Sequence, residues 1–234
     1  MSTAYRPEYL PETRDVRDAF ADEIATLGGG VPDVYVVDEY LYARGVLPRY
    51  VEIRPGDRVQ AGVAVRVAGP EIRVHPYTFR QVCTNGAIAA DALPSQRLER
   101  RERASVFVPT HDAVEALWEL RAVVRGCAAK EAFADVAQGL RQASEVEGDV
   151  TLHLMSLLSR LPRAMAARAL PRISERFTAG RDTSAFGLLN AVTSVARDTP
   201  DPETRWRLEE LGGTMPALLK PRPRIVPPAA LVGA

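Results

Sequence analysis

From Val51 to Val74 apolar residues recur at every second position, interrupted by two turn signals, Arg54-Pro55-Gly56-Asp57 and Ala68-Gly69-Pro70-Glu71. Such alternation predicts an antiparallel meander with one apolar face. A two-residue loop at Gly69-Pro70 sets Val67 against Ile72, Val65 against Val74 and Arg66 against Arg73. Carried back through the first turn, the same parity adds Val51, Ile53, Val59, Ala61 and Val63 to the apolar face. Glu52, Arg54, Arg58, Gln60, Arg66, Arg73 and His75 fall on the other. Like charges opposite one another across a strand pair are unfavourable, so an arginine-rich face needs a reason.

After the meander, Pro76 occupies the place a helix favours for its first residue. Phe79, Val82, Cys83, Gly86, Ala87 and Ala90 then recur at spacings of three and four. This predicts a helix lying on the oily side of the sheet, with the arginine face left open. Upstream, Glu12 to Leu27 reads as an amphipathic helix with Val16, Phe20, Ile24 and Leu27 on one stripe, stopped by Gly28-Gly29-Gly30. Triple glycine also invites a phosphate-loop reading, but no Gly-Lys-Ser/Thr follows. Val34 to Tyr42 is rich in strand formers and predicts one more strand. Tyr35, Tyr40, Tyr42 and Tyr50 near this sheet serve either core packing or base stacking.

The second half reads as helices. His111 to Val146 forms one or two, with Val114, Leu117, Trp118, Leu120 and Val124 on the apolar side. Asp149 caps a further helix bearing Leu152, Leu154, Met155 and Leu158. Asp182-Thr183-Ser184 caps another, in which Asn190, Thr193 and Arg197 make a polar stripe, and a short last helix runs from Asp201 to Leu211. The fold class is therefore α+β: an antiparallel β-meander packed by a helix, then an all-helical C-terminal half. The expected organisation is 1–110 for the α+β core, 111–212 for the helical region packed on it, and 213–234 for a proline-rich, disordered tail.

Two short motifs stand out, Phe79-Arg80-Gln81-Val82-Cys83-Thr84-Asn85-Gly86 and Phe186-Gly187-Leu188-Leu189-Asn190-Ala191-Val192-Thr193. Together and in this order they resemble the phage/plasmid-like proteins grouped as a domain of unknown function, number 932 in its series. The resemblance covers roughly Val46 to Val195. It implies a phage, prophage or plasmid gene and no established activity, and it marks Arg80, Cys83, Asn85, Asn190 and Thr193 as motif residues. The meander crossed by a helix is also similar in outline to single-strand annealing proteins used by phages in recombination, a likeness of architecture alone.

Charge changes the picture through its distribution, not its sum. Thirty basic and thirty acidic residues cancel, so no whole-molecule field draws in nucleic acid or membrane. Yet residues 44–103 carry eleven basic and six acidic groups, and residues 151–234 twelve and seven, around an acidic 111–150 with four and eight. The expected nucleic-acid contacts are Arg54, Arg58, Arg66, Arg73 and Arg80, extended by Arg97, Arg100 and Arg101 of the mixed run after the sheet. The favoured partner is single-stranded DNA, gripped by an oligomer of the chain. The alternative is a non-catalytic interaction protein whose arginine face meets an acidic partner or subunit.

No catalytic residue, metal site or cofactor motif is expected. Cys83 and Cys127 have neither disulfide nor metal spacing, and His75, His111 and His153 lack ligand partners. Adjacent carboxylates such as Glu209-Glu210 diverge. With no signal pattern and no run approaching a membrane span, a cytoplasmic protein is expected.

Overall fold

A computed structural model of the chain describes residues 11–69, 71–81, 85–89, 106–107, 113–147 and 150–218. Helix α1 (Thr13–Thr26) comes first, followed by β1 (Gly30–Val37), β2 (Tyr40–Arg54), β3 (Asp57–Ala68), β4 (Glu71–Arg80) and β5 (Asn85–Ile88). These five strands lie in sequence order in one antiparallel sheet, and the short β6 (Val106–Phe107) pairs with β4. Helices α2 (Ala113–Cys127), α3 (Lys130–Glu145), α4 (Val150–Leu158), α5 (Arg163–Gly180), α6 (Ala185–Arg197) and α7 (Pro202–Leu218) complete the α+β fold.

The meander register is the expected one. Val67 pairs with Ile72, Val65 with Val74 and Arg66 with Arg73, and Gly56 and Gly69 supply the positive φ angles of the turns. Val59, Ala61, Val63, Val65, Val67, Ile72 and Val74 are all buried. At one end of this face α1 inserts Val16, Phe20 and Ile24, and α2 adds Ala116, Leu120 and Val124. At the other end Ile53, Val59 and Ala87 join α3, α5 and α6 in a second cluster.

Three local expectations are corrected. The Val34–Tyr42 run is not one strand but two, because Asp38, at φ 50°, and Glu39 turn the chain between Val37 and Tyr40. The helix expected after Pro76 is absent: β4 continues to Arg80, and Asn85–Ile88 returns along it. Spacings of three and four in a short apolar run do not separate helix from strand, and β-branched Thr78 with Gly86 tips the balance to strand. Pro76 lies opposite Val63, the pair next to Ala64–His75, and its carbonyl accepts from Ala89 N at 2.9 Å. The apolar stripes of α2 and α4 are also rotated from those expected: Val114, Trp118, Leu152 and Met155 are exposed. Cys83 and Asp149 lie outside the described residues.

The largest departure is the last helix. It does not end at Leu211 but runs to Leu218 through Gly212 and Gly213. Those glycines let α7 press against the sheet and against α6. A Cβ on Gly213 would stand 1.8 Å from Ile88 O, and one on Gly212 would stand 2.6 Å from Thr193 Cγ2. Helix propensity alone would favour alanine at both positions, so packing sets the residue here. Gly213→Ala should therefore lower stability by about 1–3 kcal/mol through overpacking. Urea denaturation checks this; a rise in midpoint would contradict the close approach.

Candidate functional site

The arginine face of the sheet is not open. Helix α7 covers it, seating Trp206 against Tyr42, Ala64, Tyr77 and Ile88. Trp206 is fully buried, with its ring centroid 6.1 Å from Tyr42 and 6.2 Å from His75. Around that anchor the carboxylates of α7 meet the sheet's cations. Glu203 Oε2 accepts from Tyr42 Oη at 2.8 Å and from Arg66 Nε at 2.9 Å. Arg44 Nε donates to Glu209 Oε2 at 2.7 Å, and its Nη1 to Asp33 Oδ2 at 3.1 Å. Arg205 closes the circuit, 2.7 Å from Asp33 Oδ2 and 3.1 Å from Glu209 Oε1. The adjacent Glu210 diverges as expected, accepting from Trp206 Nε1 at 2.8 Å.

The electrostatics follow from this burial. Desolvation pushes the Tyr42 hydroxyl up to about 12, reinforced by Glu203. Burial opposes the charge on Arg44, but Glu209 and Asp33 outweigh it and hold its pKa above the ordinary value. For Glu209 burial prevails over both arginines and raises its pKa. Burial and then the neighbouring Arg73 push His75 down to about 4. Its Nε2 is buried without a hydrogen bond, 3.9 Å from Glu210 Oε1.

Each expected contact arginine in the described residues faces a carboxylate. Arg66 Nη2 is 2.7 Å from Glu203, and Glu71 sits between the opposed Arg66 and Arg73, 2.7 Å from Arg73 Nη2. The like-charge pair thus has its reason in intervening carboxylates. Arg54 holds the start of α6, donating to Asp182 Oδ2 at 2.7 Å and to Ser184 Oγ, the helix cap, at 2.9 Å. Arg80 meets Asp57 through Nε at 2.7 Å and Nη2 at 2.6 Å, over the Phe186 ring. Arg58 stacks on Tyr50 at 5.0 Å and is half exposed, 3.4 Å from Glu52. Arg97, Arg100 and Arg101 lie outside the described residues.

The two motifs meet in space. Asn85 Nδ2 donates to Thr193 Oγ1 at 2.5 Å and to Asn190 O at 3.3 Å, tying β5 to α6. Asn85 and Thr193 are buried, and Thr193 Oγ1 donates to Leu189 O at 3.0 Å. Their visible work is to satisfy buried backbone.

A different surface has the geometry of a binding site. At the edge of the charge circuit lies a cleft of about 380 Å³, lined by Asp33, Val34, Tyr35, Arg44, Arg197, Asp198, Thr199, Pro200, Pro202 and Arg205. Arg44 Nη2, on its floor side, is buried and meets no acceptor. Asp198 links the rim to α5: it lies 2.9 Å from Arg197 and 2.9 Å from Arg176, and its carbonyl accepts from Arg172. Along residues 160–181 six arginines stand against Glu175 alone, all of them exposed. Sequence reading registered the basic balance of this half but not the stripe, because Arg168, Arg172 and Arg176 become neighbours only at helical spacing. Arg44 and Arg205 carried no signal, since a cleft between β1 and α7 is a long-range product of the fold.

Among the described residues no group of three His, Cys, Asp or Glu could hold a metal ion, and no helix is long and apolar enough to cross a membrane. Comparisons with protein-family models, curated proteins and solved structures find no match.

Two outcomes follow from the docked helix. Arg66→Ala should destabilise the fold by about 1–2 kcal/mol, because it removes the sheet's charged partner from part-buried Glu203, which keeps only Tyr42 and its own-helix neighbour Arg207, whereas Arg58→Ala should cost about 0.5 kcal/mol or less. Equal urea midpoints for the two variants would contradict the docking. His75 is neutral in the fold and its folded pKa lies below 6.5, so its contribution is present above pH 6.5 and lost as pH falls toward 4. Over that window it amounts to about 3 kcal/mol, and His75→Phe should flatten this part of the stability profile. An unchanged acid limb would show that another group carries it.

Proposed function

We propose that the chain is a nucleic-acid-binding protein that takes single strands along α5 and into the cleft beside Arg44, Arg197 and Arg205. One observation carries this reading: the exposed Arg172 and Arg176 of α5 gather with Arg197 of α6 around Asp198, on the rim of a cleft of nucleotide size. The proposal moves the binding surface away from the meander, whose arginines hold the fold together. A guanidinium row suits phosphates spaced along a strand. Tyr35, 42% exposed on the cleft wall, offers a ring on which a base can stack. The phage, prophage or plasmid setting and a cytoplasmic location rest on the sequence reading alone.

The test is the salt dependence of binding to a labelled single strand. Four phosphate contacts predict a slope of log affinity against log salt of about −3. Replacing Arg168, Arg172 and Arg176 together by alanine should reduce the slope by about 2 and weaken all sequences alike, with the melting temperature only slightly lowered, because what is lost besides is exposed contacts to Asp198. Tyr35→Ala should weaken binding without altering the slope. Absence of binding at low salt would end the nucleic-acid reading.

A further inference from the structure

We propose that two copies of the chain pair edge to edge through β1, joining their sheets into one antiparallel sheet about a two-fold axis. The inference does not rest on nucleic-acid binding. Strand β1 ends the strand order, and among the described residues nothing pairs with its outer side. Its outer half is unusually apolar for a free edge: Val34, Tyr35, Val36 and Val37 are each 42–43% exposed, and Tyr40 across the turn is 47% exposed. Free edges normally carry lysine, an inward charge or proline to discourage pairing. Between Val34 and Val37 this one has none.

Register argues for a second copy as the occupant. Val37 and Tyr40 flank a two-residue turn, so the backbone groups of Val37, Tyr35 and Asp33 point at β2, and those of Val34 and Val36 point outward. A two-fold through Tyr35 then sets Val34 opposite Val36 twice, pairing every outward amide and carbonyl of the segment. In that register Asp33 faces Val37, so no like charges meet. Sliding by two residues one way brings Asp33 opposite Glu39; sliding the other way places Pro32, which has no N–H, in a bonded pair. In the register through Tyr35, Pro32 falls opposite Asp38 of the turn, beyond the paired segment, so this alignment joins the apolar edge without either conflict. Because the axis is perpendicular to the sheet, the two clefts would open on the same side, with a Tyr35 from each copy between them.

Sedimentation velocity of the full chain across the micromolar range should show a monomer–dimer equilibrium. Val36→Pro removes an outward N–H without touching the β1–β2 bonds, and should give a monomer with an unchanged melting temperature. Should that variant fail to fold, Tyr35→Cys gives an independent reading. Two facing residues at a non-hydrogen-bonded pair lie within disulfide reach, so Tyr35→Cys should cross-link on mild oxidation while Val37→Cys should not. A strictly monomeric chain, a dimer indifferent to Val36→Pro, or equal cross-linking by both cysteines would each overturn the proposal.

Discussion

Docking of α7 onto the sheet is the interaction on which the rest of this structure depends. A sheet face bearing Arg44, Arg66, Arg73 and His75 cannot be buried by an ordinary apolar helix, because each unpaired guanidinium would be costly out of water. Helix α7 solves this with a mixed surface. Trp206 supplies apolar burial against the sheet, while Glu203 and Glu209 meet Arg66 and Arg44 at the points where those cations would otherwise be stranded. Gly212 and Gly213 bring the helix near enough for both to happen. Buried ion pairs are weak sources of net stability but are strongly destabilising when half removed. Their effect here is on specificity: with four charges closed around Arg44, Asp33, Arg205 and Glu209, α7 has one rotation and one depth that leaves no charge alone.

The N-terminal half was legible because its information is local. Alternation of period two, broken by Pro-Gly turns, fixes both the register of β3 and β4 and the faces of their residues. The same locality misled at Pro76, where spacings of three and four suited a helix but the residues were too few to exclude a strand. Asp38-Glu39 was missed as a turn because no glycine marks it. What could not be read was the tertiary fate of the arginine face. Glu203 and Glu209 stand well over a hundred residues from Arg66 and Arg44, and nothing in a single sequence links these pairs. An arginine-rich strand face looks the same on paper whether it awaits phosphate or an acidic helix of its own chain.

The same comparison explains the motif residues. Asn85 and Thr193 are far apart in sequence yet share a hydrogen bond at the seam between β5 and α6. Arg80 closes that seam from the other side, holding Asp57 while lying over Phe186 of the second motif. Two short motifs that look independent are therefore the two halves of one joint between the sheet and the helical layer. A family resemblance built on them speaks to the construction of the fold more directly than to a ligand.

The cleft inherits its shape from the docked helix. One wall is β1 with Asp33 and Tyr35, another is the turn from Arg197 to Pro202, and Arg205 of α7 reaches across to both. Arg44 is held there by Glu209 of α7 and by Asp33 of β1. Whatever enters the cleft must therefore favour the docked state of α7 over any undocked one, and its binding free energy adds directly to the stability of that docking. Conversely, a change that loosens Trp206 or Gly213 reaches the cleft without touching a lining residue. The cleft and the docked helix share one contact surface, and the sheet arginines that seemed poised for a ligand keep that surface assembled.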